Sequence, residues 1–125
     1  MARIDKFDPV DGGFRAPLAA DYTGSPNVVA VGINSSGQVV VGVGVAGIGI
    51  VGVICLPKDK KAGDAVDVMI DGQIVQFGGA AGSIYTANTT SGAVTTAAAS
   101  ATQTPIGWTL TANHLIVHVT RGAAA

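Results

Sequence analysis

Residues 39–56 form an 18-residue run without a charged side chain, and this run limits the possible folds more than any other feature. Its length reaches the threshold for a helix that spans a membrane. Its composition argues against a helix, because most of its non-glycine residues are valine or isoleucine, which favour strands. Glycine, which weakens a helix interior, occurs at positions 42, 44, 47, 49 and 52. We therefore expect two buried strands joined by a bulge or tight turn, and no membrane span.

The run also contains the spacing of a dinucleotide-binding turn, at Gly42, Gly44 and Gly47. That turn needs a helix to begin at the third glycine, so that the helix N-terminus can hold the pyrophosphate. Here the residues that follow are mostly β-branched and end before Pro57, so no cofactor is expected. Glycines along a strand instead let another backbone approach closely. We predict close packing, between strands or between subunits, at Gly42, Gly44, Gly47 and Gly49.

The chain as a whole carries little charge. Charged residues make up 12% of its 125 residues, about half the usual share, and hydrophobic residues make up 48%. A folded chain of this length leaves roughly a third of its extended-chain surface exposed, so part of that surface must be apolar or lie against another molecule. We therefore expect a component of an assembly. The net charge of −1 predicts no nucleic-acid partner, and the single cysteine, Cys55, is predicted to be a buried, inert thiol.

The sequence divides into an extended N-terminal arm, residues 1–27, a body, residues 28–121, and a C-terminal tail, residues 122–125. The arm carries four of the eight aspartates and three of the five prolines, and its aromatic residues follow no helical or strand period. It has no continuous apolar stretch after its first basic residues, so no secretory signal is expected. Such a segment either stays a solvated tail or becomes ordered against a partner.

The body is predicted to be a succession of short strands. The Asp71–Gly72 pair indicates a two-residue hairpin turn between strands at 66–70 and 73–77. In that register one face is the core, with Val66, Val68, Ile70, Val75 and Phe77. Further strands are predicted at 28–33, 38–45, 83–87, 106–110 and 114–120, and 88–105 is low in complexity. No amphipathic helix stands out, so the predicted fold class is all-β, a small barrel or sandwich.

The residue pattern gives little evidence of a catalytic site, and we expect no enzyme activity. All eight carboxylate side chains are aspartates, mostly in the arm or in predicted turns. His114 and His118 have the spacing of a helical metal pair, but they alternate with apolar residues as in a strand, where four residues span about 13 Å. That separation is too large for one zinc ion, so no metal is expected within one chain. Only a symmetric oligomer could bring copies of one histidine together on its axis.

Three stretches, taken in order, resemble the capsid decoration proteins, or head cement proteins, of tailed bacteriophages. They are residues 49–57, residues 61–75 with the Ala62-Gly63-Asp64 turn, and residues 104–119 with the sequence Ile106-Gly107-Trp108. The resemblance covers roughly residues 28–121. It implies a small β-barrel of the β-tulip type, commonly trimeric, that sits on the outer surface of an icosahedral head.

The resemblance further implies a structural virion protein, made in the host cytoplasm, that stabilises contacts between major capsid subunits after the head expands. Its partners would be the major capsid protein and further copies of itself, as a trimer. In this interpretation the arm lies in grooves of the capsid surface, with aromatic anchors and charge-assisted hydrogen bonds. The residues predicted to contact the capsid are Arg3, Lys6, Phe7, Phe14, Arg15 and Tyr22.

Two other functions are compatible with the sequence. An oligomeric adhesin or fibre module that binds the host surface would also be rich in strands and glycine, and Trp108 and the two tyrosines could stack on sugars. A small metal-dependent or nucleotide-binding enzyme ranks third. Binding to cells or glycans would favour the adhesin, and bound metal or nucleotide would favour the enzyme.

Overall fold

The computed structural model describes residues 13–24, 27–55, 59–75 and 77–119, and every regular element in these ranges is a β-strand. This confirms the predicted all-β class. The strands are β1 Gly13–Pro17, β2 Val28–Ile33, β3 Val39–Val41, β4 Gly52–Cys55, β5 Ala65–Met69, β6 Asp71–Ile74, β7 Ile84–Asn88, β8 Val94–Thr95, β9 Gln103–Thr111 and β10 His114–His118. They form two five-stranded antiparallel sheets, in the orders β1-β5-β4-β2-β3 and β6-β10-β9-β7-β8.

The first sheet curls until its two edge strands approach each other. β1 and β3 lie at opposite edges. Leu18, directly after β1, nevertheless forms a parallel bridge with Val39 of β3, and the Ala19 amide donates to the Val39 carbonyl at 2.9 Å. The curled sheet encloses the barrel cluster, which consists of Leu18, Val29, Val31, Val39, Val51, Ile54, Val66 and Val68. The first sheet is therefore a barrel-like shell around a core of its own.

The two strands at the centre of this shell, β2 and β4, bury both of their faces. In β2, Val29 and Val31 belong to the barrel cluster, whereas Ala30 between them packs against the second sheet. In β4, Ile54 likewise belongs to the barrel cluster, and Val53 packs against the second sheet. Successive side chains of a strand lie on opposite faces, so a strand that is buried on both sides shows no alternation of polar and apolar residues. This arrangement explains why β4 lies in a charge-free run.

The second sheet covers the outer side of β2 and β4. Between the sheets lies the intersheet cluster, which consists of Ala30, Ile50, Val53, Ile74, Tyr85, Ala87, Ile106, Leu115, Val117 and Val119. Phe77 packs at its margin, with its ring edge-on to Tyr85 at a centroid distance of 4.9 Å. The fold thus has two cores, and β2 and β4 contribute to both.

Most of the predicted strands are present, although their ends differ. The segment 28–33 is β2, and the last predicted hairpin is formed by β9 and β10. The predicted strand 38–45 is reduced to β3, because the chain leaves the sheet at Gly42, where φ is +78°. The low-complexity stretch 88–105 contains β8 and the beginning of β9.

The predicted hairpin at Asp71–Gly72 is wrong. β5 pairs with β1 and β4 in the first sheet, whereas β6 pairs with β10 in the second, so the two strands do not pair with each other. A type I′ turn needs a positive φ at both central residues, and Gly72 is not among the glycines with positive φ. The chain instead passes from one sheet to the other at Ile70.

This crossing also changes which residues face the core. Val66 and Val68 are buried as predicted, but Ile74 takes the place expected for Val75, which is 69% exposed. Cys55, predicted to be buried, is exposed, because it is the last residue of β4 and lies beyond both clusters.

The glycines predicted to allow close packing fall into two groups. A Cβ at Gly42 or Gly44 would lie 2.4 or 2.3 Å from a backbone carbonyl oxygen of the same chain. A Cβ at Gly47 or Gly49 would meet no atom within 4 Å. The close approach within the chain is therefore at the first two positions, and packing between subunits at the four glycines stays a prediction.

Replacing Gly42 by alanine is expected to lower the free energy of unfolding by about 2 to 4 kcal/mol, because the new Cβ would clash with backbone and the positive φ is unfavourable for alanine. Gly47→Ala, in the same run, is the matched control and should change it by no more than about 0.5 kcal/mol. Urea unfolding followed by circular dichroism measures both. Equal stability of the two variants would contradict the close approach at Gly42.

Candidate interaction surfaces

Residues 13–24, within the predicted arm, are attached to the first sheet. β1 pairs with β5 from Gly13 opposite Met69 to Pro17 opposite Ala65. Leu18 follows and is 2% exposed within the barrel cluster. No strand period was visible in this segment because the residues of an edge strand such as β1 are mostly exposed, so apolar and polar side chains do not alternate. This part of the arm is therefore a fixed element of the fold.

A second attachment lies beyond Leu18. The Tyr22 amide donates to the Lys60 carbonyl at 2.8 Å, and the Lys60 amide donates to the Tyr22 carbonyl at 2.7 Å. The Asp21 carboxylate accepts a hydrogen bond from the Ala62 amide at 2.8 Å. The Tyr22 side chain packs against the barrel cluster, and this burial raises the pKa of its hydroxyl above the ordinary value of 10.0.

The structure describes three of the six residues predicted to contact a capsid. Phe14 and Arg15 are neighbours on β1, so their side chains leave opposite faces of the strand. The Arg15 guanidinium pairs with the Asp67 carboxylate at 3.0 and 3.2 Å. Phe14 is 36% exposed, and Tyr22 is partly buried. Phe14 and Arg15 therefore do not share one contact face. Arg3, Lys6 and Phe7 lie outside the described residues.

A more continuous apolar surface lies on the outer face of the second sheet. Ile84 of β7 lies opposite Trp108 of β9, Trp108 lies opposite Ile116 of β10, and Ile116 lies opposite Gln73 of β6. We call these four residues the Trp108 row. Opposite side chains on one face of neighbouring strands are close enough to contact each other. The row therefore crosses four strands, with Ile84 69% and Trp108 48% exposed.

A β-bulge places Trp108 on this outer face. Ile106 is fully buried in the intersheet cluster, and strict alternation would put Trp108 on the same side. The register between β7 and β9 shifts between Tyr85 and Thr86, which leaves Ile106 without an opposite residue. An extra residue of this kind reverses the alternation beyond it. A second register shift, between β9 and β10, leaves Leu110 without an opposite residue, and Leu110 is 57% exposed.

The chain itself covers a neighbouring part of the same face. Thr86 lies two residues after Ile84 on β7 but is only 1% exposed. Its hydroxyl donates to the Ala97 carbonyl at 2.8 Å and lies 3.0 Å from Oε1 of Gln103. The small residues that follow β8 thus approach β7 at Thr86, and the Trp108 row begins where this cover ends.

Two histidines beside the row lie close to polar side chains of β6. Nε2 of His114 is hydrogen-bonded to Oε1 of Gln73, and Nδ1 of His118 lies 3.7 Å from Oδ2 of Asp71. Both histidines lie on β10, as predicted from their alternation with apolar residues. No group of three or more His, Cys, Asp or Glu side chains in residues 13–24, 27–55, 59–75 and 77–119 could hold a metal ion. Nor does this part of the chain contain a helix long and apolar enough to cross a membrane.

Comparison with known proteins gives a match at the level of structure. No protein-family model matches the chain, and no curated protein matches it. A chain from Mycobacterium phage Patience matches with a TM-score of 0.75 and 18% sequence identity, over 95% of this chain and 96% of that one. The protein therefore shares its fold with a phage protein over nearly the full length of both chains.

The attachment of residues 13–24 can be tested at two neighbouring side chains. Leu18→Ala should lower the free energy of unfolding by about 2 to 5 kcal/mol, because it leaves a cavity in the barrel cluster. Arg15→Ala removes only an exposed ion pair and should lower it by about 1 kcal/mol or less. Urea unfolding compares the two, and a larger effect at Arg15 would show that the ion pair, and not Leu18, holds this segment.

The raised pKa of Tyr22 predicts a loss of stability in alkaline solution. A phenol with a raised pKa in the folded state contributes stability that is present below its unfolded pKa of about 10 and is lost as the pH rises through the folded pKa. Between about pH 9 and pH 11, the wild type should therefore lose more stability than Tyr22→Phe, which lacks the ionisable group. Urea unfolding at the two pH values measures this difference, and parallel losses would contradict the burial of the hydroxyl.

Proposed function

We propose that the protein is a structural component of a phage virion that binds the outer surface of the expanded capsid and stabilises contacts between major capsid subunits. The observation that carries this proposal is the fold shared with a chain from Mycobacterium phage Patience over nearly all of both chains. The resemblance of residues 49–57, 61–75 and 104–119 to capsid decoration proteins supports the same function.

The composition of the surface also supports a role in an assembly. Only 12% of the residues are charged, and Val75, Ile84, Trp108 and Leu110 are each about half exposed or more. Exposed apolar side chains that lie close together commonly mark a surface that binds another protein. A protein with this surface is therefore suited to function in contact with partners.

The proposed mechanism is stabilisation by mass action. A protein that binds the assembled lattice, and not the free subunits, adds its binding free energy to the stability of the shell. At a free concentration 100 times the Kd, this contribution is about 2.7 kcal/mol at each site. Because the sites repeat over the head, a modest affinity gives a large total effect. This function breaks no covalent bond, so we propose no enzyme activity and no cofactor.

The proposed capsid contacts divide into two groups. Phe14 and Arg15 are held on β1 by its pairing with β5, so a partner would meet them in a defined position. Arg15 already binds Asp67, but a guanidinium has five N–H donors and can bind a further carboxylate. Arg3, Lys6 and Phe7 precede β1 in the sequence, and we propose that they bind the capsid next to it.

Co-sedimentation with phage heads tests the proposed function. The full chain should pellet with expanded heads that lack it, in a saturable and stoichiometric manner, and should pellet less with unexpanded heads. Heads that carry the protein should also withstand a higher temperature before they release DNA. Protein that stays in the supernatant at all concentrations would contradict the proposal, and binding to host cells in its place would favour the adhesin.

The contribution of the arm is tested by substitution within residues 1–12. The triple variant Arg3→Ala, Lys6→Ala, Phe7→Ala should weaken head binding at least tenfold, or by about 1.4 kcal/mol, because it removes two cations and an aromatic anchor. Asp5→Asn with Asp8→Asn is the matched control in the same segment and should retain binding. Deletion of residues 1–22 is less suitable, because it would also remove β1 and Leu18 from the first sheet.

A further inference from the structure

We infer that the outer face of the second sheet, centred on the Trp108 row, binds other copies of this chain around the symmetry axis of a homo-oligomer. The surface concerned, which we call the outer patch, consists of Ile84, Trp108, Leu110 and Ile116. The inference rests on the proposed function, because it assigns one of the two contacts that an oligomeric decoration protein must make. The other contact is with the capsid.

The size of the outer patch fits the centre of a protein interface. Its three most exposed members, Ile84, Trp108 and Leu110, have exposed fractions of 48 to 69%. If a large side chain offers about 150 Å² when fully exposed, the patch presents about 300 Å² of apolar surface. This is more than a third of the roughly 800 Å² that one partner buries in a standard interface. The polar residues around the patch would supply the rim.

The distribution of charge favours a second copy over a partner selected by charge. No member of the outer patch is charged, and beside it on β10 His114 is hydrogen-bonded to Gln73, while Nδ1 of His118 lies 3.7 Å from Oδ2 of Asp71. Interface cores between identical subunits are apolar and poor in charge. Near a symmetry axis each side chain lies close to its own copy, so an uncharged patch avoids the repulsion that a charged one would suffer.

The position of the outer patch separates it from the proposed capsid contacts. Phe14 and Arg15 belong to β1, at the edge of the first sheet, whereas the patch lies on the far side of the second sheet from the intersheet cluster. A decoration protein must also remain in solution until the head has expanded. An apolar patch reserved for the capsid would be exposed during that time and would promote aggregation, whereas an oligomer covers it throughout.

Light scattering on the full chain tests this inference. Wild-type protein should have a mass that is a multiple of 12.3 kDa, and the multiple shows whether the axis is two-fold or three-fold. Ile84→Lys with Leu110→Lys places cations on the patch of every copy, and the Kd for self-association should rise at least about tenfold. Both side chains are mostly exposed in one chain, so the variant should keep its fold. Ala101→Lys, in an exposed turn outside the patch, is the control and should retain the wild-type mass.

A charge-swap mixture distinguishes loss of the interface from loss of the fold. Ile84→Asp with Leu110→Asp should also dissociate, and mixing it with the lysine variant should raise the average mass above that of either variant alone, because unlike charges then meet between copies, at the single contact of a dimer or at two of the three contacts of a trimer. A wild-type monomer, or a lysine variant that keeps the wild-type mass, would overturn the inference. So would a mixture that stays dissociated while both variants show the wild-type circular dichroism spectrum.

Head binding by the same samples separates this inference from the proposed function. Wild-type oligomers that dissociate on substitution but do not pellet with heads would leave the inference standing and contradict the proposed function. A wild-type monomer that pellets with heads, and that loses this binding in the lysine variant, would overturn the inference and assign the outer patch to the capsid. Dissociated lysine variant that still binds heads, with reduced apparent affinity, would support both.

Discussion

The burial of β2 and β4 on both faces is the constraint on which the rest of this structure depends. Val29, Val31 and Ile54 point into the barrel cluster, and Ala30 and Val53 point into the intersheet cluster. Each of the two strands therefore needs a cover on both sides, and the protein supplies one cover by curling the first sheet and the other by adding a second sheet. Because charge on either face of these strands would have to be buried, their sequences are apolar throughout. The low overall charge follows in part from this double core.

The same constraint determines where the backbone must come close to itself. A curled sheet of short strands brings loops against strands, and Gly42 and Gly44 allow carbonyl oxygens of the chain to approach where a Cβ would lie. The residues directly after β1 complete the curl, since Leu18 bridges to β3 and fills part of the barrel cluster. A segment that looks like a tail in the sequence is thus part of the wall of the first core. This gives any partner that binds Phe14 or Arg15 a contact with the folded body and not with a loose chain.

The outer face of the second sheet has one part that the chain itself covers and one part that is exposed and apolar. On the second sheet, one part of the outer face is covered near Thr86 by small residues that follow β8, and the adjoining part carries the Trp108 row. The row is apolar and in register across β7, β9 and β10, and its one polar member, Gln73 of β6, is hydrogen-bonded to His114. Such a surface binds by shape and burial more than by charge. The proposed function as a component of a phage head draws on two observations, the fold shared with a phage protein and the exposed apolar side chains of the second sheet.

The amino-acid sequence by itself determined the all-β class, the existence of most strands, and the expectation of an apolar surface, because strand propensity, turn residues and composition act locally or on the chain as a whole. Only the tertiary structure decided which strands pair and which side chains face outwards. Asp71 and Gly72 are residue types typical of a hairpin turn, but β5 and β6 join different sheets, where β5 pairs with β1 and β6 pairs with β10. Trp108 lies two residues after the buried Ile106, so a regular strand would bury both side chains, yet the bulge between them turns Trp108 to the surface. A shift of one residue moves every following side chain to the other face, and no local pattern records where such a shift occurs, because it is set by the packing of two sheets around a shared pair of strands.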